Sequence, residues 1–431
     1  MNKNQVEEYL KDFQRNDFPQ LIERTLPEYW TKKITAIIGP RRAGKTSIIY
    51  LIMMHLMKEG AKKSDLLYLN FEDLRLSDVS FKEIAEVIST HKKLFNSDKP
   101  ILFLDEPQLI ENWERAVRSL YDQGYSIFIS GSSSKLLSKE IHTSLRGRSL
   151  SYLILPFSFN EYLKAKKIVY GQLMSSDEKI KLLSALDEYL KYGGFPETSI
   201  QEKEEIKLKI LNEYFELALY KDIVERYKIC DSDNIRQFIK SILSSFSKEI
   251  SINKIYNGIS SQGRKTSKDE LYTYPSMLSD ALFAFFLPKF SWSIQKREPV
   301  SKVYLNDTGF SKLVSSSADN GKLIENTVFL ELIRRQKPFT ELSFWKSEQM
   351  HYEVDFVIKE KEKITQLIQA CYELNDETKP REIRALLKAG KELKCDNLTI
   401  ITYDYEGEET AEWYGIKSKI KYIPLWKWLI E

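Results

Sequence analysis

Gly39, Pro40, Arg41, Arg42, Ala43, Gly44, Lys45 and Thr46, followed by Ser47, form the pattern G-x-x-x-x-G-K-[ST] between an apolar run and an amphipathic stretch. That pattern suits a triphosphate. The glycines let the backbone curl so that its N–H groups and the start of the next helix face phosphate oxygens. Lys45 would neutralise the β and γ oxygens, and Thr46 would offer a hydroxyl to Mg²⁺. Downstream, Ile101-Leu102-Phe103-Leu104 runs into Asp105 and Glu106. An acid at the carboxyl end of an apolar strand stands where open α/β sheets bind ligands. Asp105 is placed to hold Mg²⁺, and Glu106 to orient an attacking water.

Ser132 follows the run Ser126–Ser130 and Gly131, where a neighbouring strand would meet the γ-phosphate. Sensing that phosphate and capping a following helix over 135–139 are both open to it. Leu145-Arg146-Gly147-Arg148 precedes another apolar run. Arg148, ahead of Arg146, is the candidate arginine finger, acting on its own or a neighbouring subunit's γ-phosphate.

These residues need a scaffold, and the sequence describes one. Strands are expected over 33–39, 66–71, 101–105, 126–131 and 149–156, alternating with helices over 45–58, 81–95 and 113–123. That alternation predicts a parallel sheet with crossover helices, an α/β nucleotide-binding core over 1–156. Over 157–246 apolar residues recur at three and four spacing, which predicts a helical lid. Over 247–306, two helices and two strands follow in the order of a winged helix. Over 307–431, strands and helices predict a smaller α/β module.

The chain has 431 residues, beyond the roughly 250–300 at which one core stops growing. Lys+Arg 65 against Asp+Glu 62 gives +3, which excludes a globally basic nucleic-acid coat but permits a local basic face. That face falls in 248–302, with nine Lys/Arg and five Asp/Glu. Arg264, Lys265 and Lys268 flank the second helix there, with Tyr272 and Tyr274 as further contacts to DNA phosphates. A solvated basic surface is the alternative. Cys230, Cys371 and Cys395 lie far apart, which predicts neither a disulfide framework nor a zinc site. No apolar run approaches the ~18 residues of a membrane span, so a cytoplasmic location is expected.

GPRRAGKT, YLNFED, ILFLDEPQ, SGSSSKLL, LRGR, LPFSFNEYL and YGGFPE, in this order, resemble the archaeal and bacterial AAA-superfamily ATPases that carry a C-terminal nuclease-like domain. The resemblance covers nearly the whole chain. It implies Walker A and Walker B motifs, ATP and Mg²⁺ as cofactors, and adenine contacts from Gly194, Pro196 and Arg24. Without it, Gly193-Gly194-Phe195-Pro196 reads as a helix C-cap followed by proline.

Glu325, Asp355, Gln369 and Cys371 resemble the restriction-endonuclease-like arrangement, which needs carboxylates for Mg²⁺ and a lysine to activate water. Gln369 stands where the second acid is expected and Cys371 where the lysine is expected. A degenerate domain, used for binding or assembly, is therefore the expectation. The full reading is a Mg²⁺-dependent ATPase that moves DNA- or partner-binding modules, as a homo-oligomer or with a protein partner. An ATP-regulated DNA endonuclease and a nucleotide-gated interaction switch are the alternatives.

Overall fold

A computed structural model describes residues 2–26, 32–132, 145, 147–171, 174–293, 300–315, 319–348 and 352–431. The chain divides into two compact units, residues 1–155 with 280–282, and residues 156–279 with 283–431.

The first unit is built on five parallel strands, β1 (Ile34–Ile38), β2 (Leu66–Asn70), β3 (Ile101–Asp105), β4 (Ile127–Gly131) and β5 (Ser149–Leu153), in the order β2-β3-β4-β1-β5. The central strands read as near-continuous apolar runs because helices cover both faces of such a sheet. Ile37, Phe103 and Phe128 sit in one core with Ile48, Ile49, Ile52 and Met53 of helix α2 (Lys45–Lys58). Each such side chain contributes about 1.5–3 kcal/mol on burial. Helix α1 (Lys3–Arg15), which the sequence pattern did not place, buries Val6, Tyr9 and Leu10. Helices α3 (Ile84–Phe95) and α4 (Trp113–Asp122) complete the crossovers. This is a P-loop NTPase fold, and its register aligns Asn70, Asp105 and Ser130 at the carboxyl end of neighbouring strands.

In the second unit, helices Phe159–Ala165 and Ser176–Tyr192 both open with a capping box, Ser158 with Glu161 and Ser175 with Glu178. Helix Glu204–Leu217 continues into a π-helical stretch, Ala218–Val224. Next come helix Ser232–Ser245, β6 (Lys248–Glu249), helices Ile252–Ser261 and Lys268–Asp280, β7 (Ala284–Pro288) and β8 (Ser301–Leu305). These three strands form an antiparallel sheet in the order β6-β8-β7. Residues 294–299, between the last two strands, lie outside the described residues.

Helix Asn320–Arg334 leads to a mixed sheet of β9 (Thr340–Lys346), β10 (Glu353–Glu360), β11 (Lys363–Cys371), β12 (Leu398–Thr402), β13 (Gly407–Trp413) and β14 (Ile416–Pro424). Helix Thr378–Leu393 buries Ala385, Leu386, Leu387 and Leu393 among the residues of its core. The hairpin β13–β14 was not foreseen. The residues of β13 alternate half-exposed and exposed and carry little apolar signal, while β14 buries Ile420, Tyr422 and Ile423; Tyr414 (φ 49°) and Gly415 (φ 73°) form the left-handed pair that a two-residue hairpin turn requires. Among the described residues, no helix is long and apolar enough to cross a membrane.

Candidate nucleotide-binding site

The loop between β1 and α2 is shaped by two glycines for different reasons. A Cβ at Gly39 would lie 2.0 Å from the Ile154 carbonyl oxygen, so only glycine lets the loop leave the sheet beside the end of β5. Gly44 has φ 92°, a left-handed conformation that turns the chain into α2. Arg42 is also left-handed (φ 63°), while Ala43 is fully buried beneath the loop. The buried guanidinium of Arg24 donates to the Ala43 carbonyl at 2.6 Å and to the Leu155 carbonyl at 2.9 Å. Arg24 thus braces the phosphate loop from below. Arg41 reaches Glu72 at 3.6 Å, Pro40 opens the turn, and Ser47 lies in the first turn of α2.

Lys45 begins α2, and its Nζ donates to the Pro40 carbonyl at 3.2 Å, which folds the side chain back over the loop. Its ion-pair partner is Glu106, at 3.7 Å. Thr46 Oγ1 donates to Asp105 Oδ2 at 2.8 Å, bringing together two oxygen groups that lie far apart in the sequence. The same Oδ2 accepts from Tyr68 Oη at 2.9 Å, and Oδ1 accepts from Ser130 Oγ. Asp105 is 2% exposed and, among the described residues, has no cationic partner. A buried carboxylate solvated only by hydroxyls, beside a threonine oxygen, is a donor set suited to a hard divalent cation such as Mg²⁺.

Glu106 is left-handed (φ 53°), and this turns its side chain away from that of Asp105. Its carboxylate accepts from Gln108 Nε2, and from the Ser132 N–H and Oγ, both at 3.3 Å. Burial pushes the Glu106 carboxyl above its ordinary range, against the opposing pull of Lys45. A carboxyl raised by burial is a better proton acceptor than an exposed one, and the neighbouring lysine favours its charged form. Ser132 thus touches Glu106 directly, and the helix expected after it lies outside the described residues.

Arg148 is not at this chain's own phosphate site. Its carbonyl accepts from the Ile34 N–H at the start of β1, whereas the phosphate loop follows the end of that strand. Five residues of strand separate the two by about 15 Å. The guanidinium instead pairs with Asp122 at 3.1 Å. Arg146 lies outside the described residues.

Gly194 and Pro196 belong to the second unit. The Gly194 N–H donates to Asp307 Oδ2 at 2.7 Å and its carbonyl accepts from the Phe157 N–H at 2.7 Å, while Pro196 opens the short helix Pro196–Ser199. Burial raises the Asp307 carboxyl to about 7, opposed by the Gly194 and Gly309 N–H groups.

Arg264 pairs with Asp233 at 3.3 Å, the Lys265 carbonyl accepts from Asn234, and Lys268 stands 5.3 Å from the centre of the Tyr256 ring. Tyr272 is 57% exposed. Tyr274 corrects an expectation: it is 1% exposed, bonded to Glu270 and packed edge-on against Phe238, so it reaches no ligand.

In the last module, Cys371 turns its thiol to the Glu373 carbonyl at 3.1 Å, and burial raises it to about 11. Gln369 accepts from the Asp355 N–H at 3.2 Å and donates to Glu382 at 2.5 Å. Glu325 and Asp355 do converge, on an ammonium that the motif reading missed, that of Lys302. Tyr68, Ser130, Gln108 and Lys302 all went unrecognised. For Lys302 and Tyr68 the available signal was a polar residue inside an otherwise apolar strand.

A family model described as an AAA domain matches residues 31–163. Two further models, each described as a domain of unknown function (DUF8612 and DUF4143), match residues 183–319 and 320–428. The Uncharacterized protein MJ1544 of Methanocaldococcus jannaschii is 42% identical over 92% of this chain and 88% of its own length. An uncharacterized protein of Haemophilus influenzae is 28% identical over 81% of this chain and 84% of its own. Among solved structures, the Aeropyrum pernix ORC1 protein in complex with DNA has a TM-score of 0.28 at 13% identity, covering 77% of this chain and 93% of its own. Cdc6p from Pyrobaculum aerophilum has a TM-score of 0.26 at 12% identity, covering 72% of this chain and 90% of its own.

Proposed function

The chain belongs to one family with the M. jannaschii protein MJ1544, and on that footing we propose that it is a Mg²⁺-dependent ATPase whose nucleotide state moves modules of the second unit on a partner. The observation that supports this best is the convergence of Thr46 Oγ1 on Asp105 beside the Lys45–Glu106 pair. Lys45 and the loop N–H groups would bind the phosphates, and Thr46 with Asp105 would hold the metal. A bound Mg²⁺ would neutralise charge on the phosphate oxygens. Glu106, anchored by Ser132 and Gln108, would orient water and accept its proton. Arg148, remote from its own phosphate loop, would serve as a finger only for a neighbouring subunit.

The order helix, β6, helix, helix, β7, β8 with strand order β6-β8-β7 supports a winged-helix reading of this region. Together with Arg264, Lys265 and Lys268 it favours duplex DNA as the partner. The assignment is tested by ATP hydrolysis with and without duplex DNA, for wild type and Glu106→Gln. The variant is expected to bind ATP as wild type does and to lose at least ~100-fold in turnover, the size of a general-base contribution. Phosphate release within threefold of wild type would reject the role of Glu106.

A further inference from the structure

The second unit contains a buried charge cluster that nucleotide chemistry does not use. Lys302 lies on β8, Glu325 on helix Asn320–Arg334, and Glu353 and Asp355 two residues apart on β10, so that both point to one side of the sheet. The Lys302 Nζ is 2.9 Å from Glu325 Oε1, 2.8 Å from Asp355 Oδ1 and 2.6 Å from Glu353 Oε1. An ammonium has three N–H donors, and these three oxygens match them one for one. Lys302 is 2% exposed and leaves no donor for a ligand.

Other donors also reach these carboxylates. Tyr304 Oη donates to Glu325 Oε1 at 2.7 Å, and the Ala370 N–H donates to Asp355 Oδ2 at 3.0 Å. Lys346 lies 3.7 Å from Glu353 Oε2. Gln369, on the neighbouring strand, supplies an amide where a further carboxylate would complete a metal site, and its oxygen already accepts from the Asp355 N–H.

A divalent ion bound by Glu325, Glu353 and Asp355 would sit about 2.0–2.6 Å from each oxygen. The Lys302 nitrogen stands 2.6–2.9 Å from the same three oxygens. Both cannot occupy that space, and both supply the positive charge the carboxylates need. The residues therefore do not fit a metal. In agreement, among the described residues no group of three or more His, Cys, Asp or Glu side chains is arranged to hold one.

We propose that Lys302 is the resident cation of this cluster: its ammonium takes the place of a divalent ion, so the C-terminal module holds no Mg²⁺ or Mn²⁺ and cleaves no phosphodiester by metal-assisted hydrolysis. The lysine also ties β8 to β10 and to helix Asn320–Arg334, through partners 53 and 23 residues away along the chain. A site shaped like a catalytic centre is in this way converted into a structural joint.

The experiment is a Mn²⁺ titration of nucleotide-free full-length protein, followed by electron paramagnetic resonance of free Mn²⁺. Asp105→Asn is present throughout to silence the phosphate-loop carboxylate, and no step depends on ATP turnover. With Lys302 intact, no binding is expected below millimolar Mn²⁺. Adding Lys302→Met should create one site per chain, at least 100-fold tighter, that Asp355→Asn removes. A Mn²⁺ site in the Lys302-containing protein that Asp355→Asn abolishes would overturn the proposal, as would a folded Lys302→Met protein that binds none. Should Lys302→Met fail to fold, Lys302→Gln, whose neutral amide still donates to a carboxylate and leaves Glu325, Glu353 and Asp355 in place, is read the same way. Mn²⁺-dependent nicking of plasmid by wild type, lost in Asp355→Asn, would independently refute it.

Discussion

Tyr68→Phe removes one hydroxyl from the Asp105 carboxylate and leaves the ring in place. The ring lies 5.5 Å from Phe13 and 5.3 Å from Tyr50, contacts that phenylalanine retains. Burial and the adjacent Asp105 charge both raise the Tyr68 pKa, so its hydroxyl stays a donor at every working pH. Two opposing effects follow its loss. A carboxylate with one donor fewer is more basic, which favours a cation, but it is no longer held toward Thr46, which disfavours one. Deleting groups that orient metal ligands costs about 10- to 100-fold in metal affinity, so orientation wins. Because Ser130 still holds Oδ1, the lower end applies, and the half-saturating Mg²⁺ for ATP turnover should rise about tenfold. Mn²⁺ affinity in the presence of ATP should fall by the same factor, while fluorescent ATP binding in EDTA stays at the wild-type level. A merely structural defect would lower ATP binding and melting temperature instead. A folded Tyr68→Phe protein with Mg²⁺ dependence within twofold of wild type would refute the reasoning.

Gly39→Ala puts a methyl 2.0 Å from the Ile154 carbonyl oxygen and should force β1 from β5 at a cost of about 1–3 kcal/mol, read as a lower melting temperature with loss of ATP binding; an unchanged melt would contradict it. Asp307, raised to about 7 by burial, holds a proton in the folded chain between pH ~4 and ~7 that the unfolded chain has released. The folded state binds more protons across that window, so this group makes stability fall as pH rises, by up to about 4 kcal/mol in all. Asp307→Asn should flatten the pH dependence of denaturant unfolding over that range, and an unaltered slope would refute the assignment. Replacing Arg264, Lys265 and Lys268 together by alanine should weaken duplex DNA binding and reduce its log–log salt slope by about 3. Absence of duplex binding by wild type at low salt would end the DNA reading.

The phosphate loop was legible because everything it needs is contiguous: two glycines, a lysine and a threonine define its backbone and its helix start within eight residues. The strands β1 to β4 were legible for a similar reason, as each is largely a short apolar run, and β5 (Ser-Leu-Ser-Tyr-Leu) runs on into the apolar Ile154 and Leu155. Helix α1 and the β13–β14 hairpin were not placed. The first buries only Val6, Tyr9 and Leu10, and β13 alternates between half-exposed and exposed positions, so neither writes a strong apolar period into the sequence; in β14 the buried Ile420 and Tyr422 alternate with lysines.

Local spacing thus determined the loop between β1 and α2, and that an acid would follow a buried strand near it. Only the tertiary structure decided that Tyr68 and Ser130 flank Asp105, that Arg24 braces the loop, and that Arg148 lies at the amino end of β1, opposite the end where the loop begins. It also brought Lys302 onto Glu325 and Asp355. The reason is register: strands distant in the chain become neighbours through hydrogen-bond pairing, and a shift of one residue would turn the strand side chains Tyr68, Asp105, Ser130, Lys302 and Asp355 to the other face.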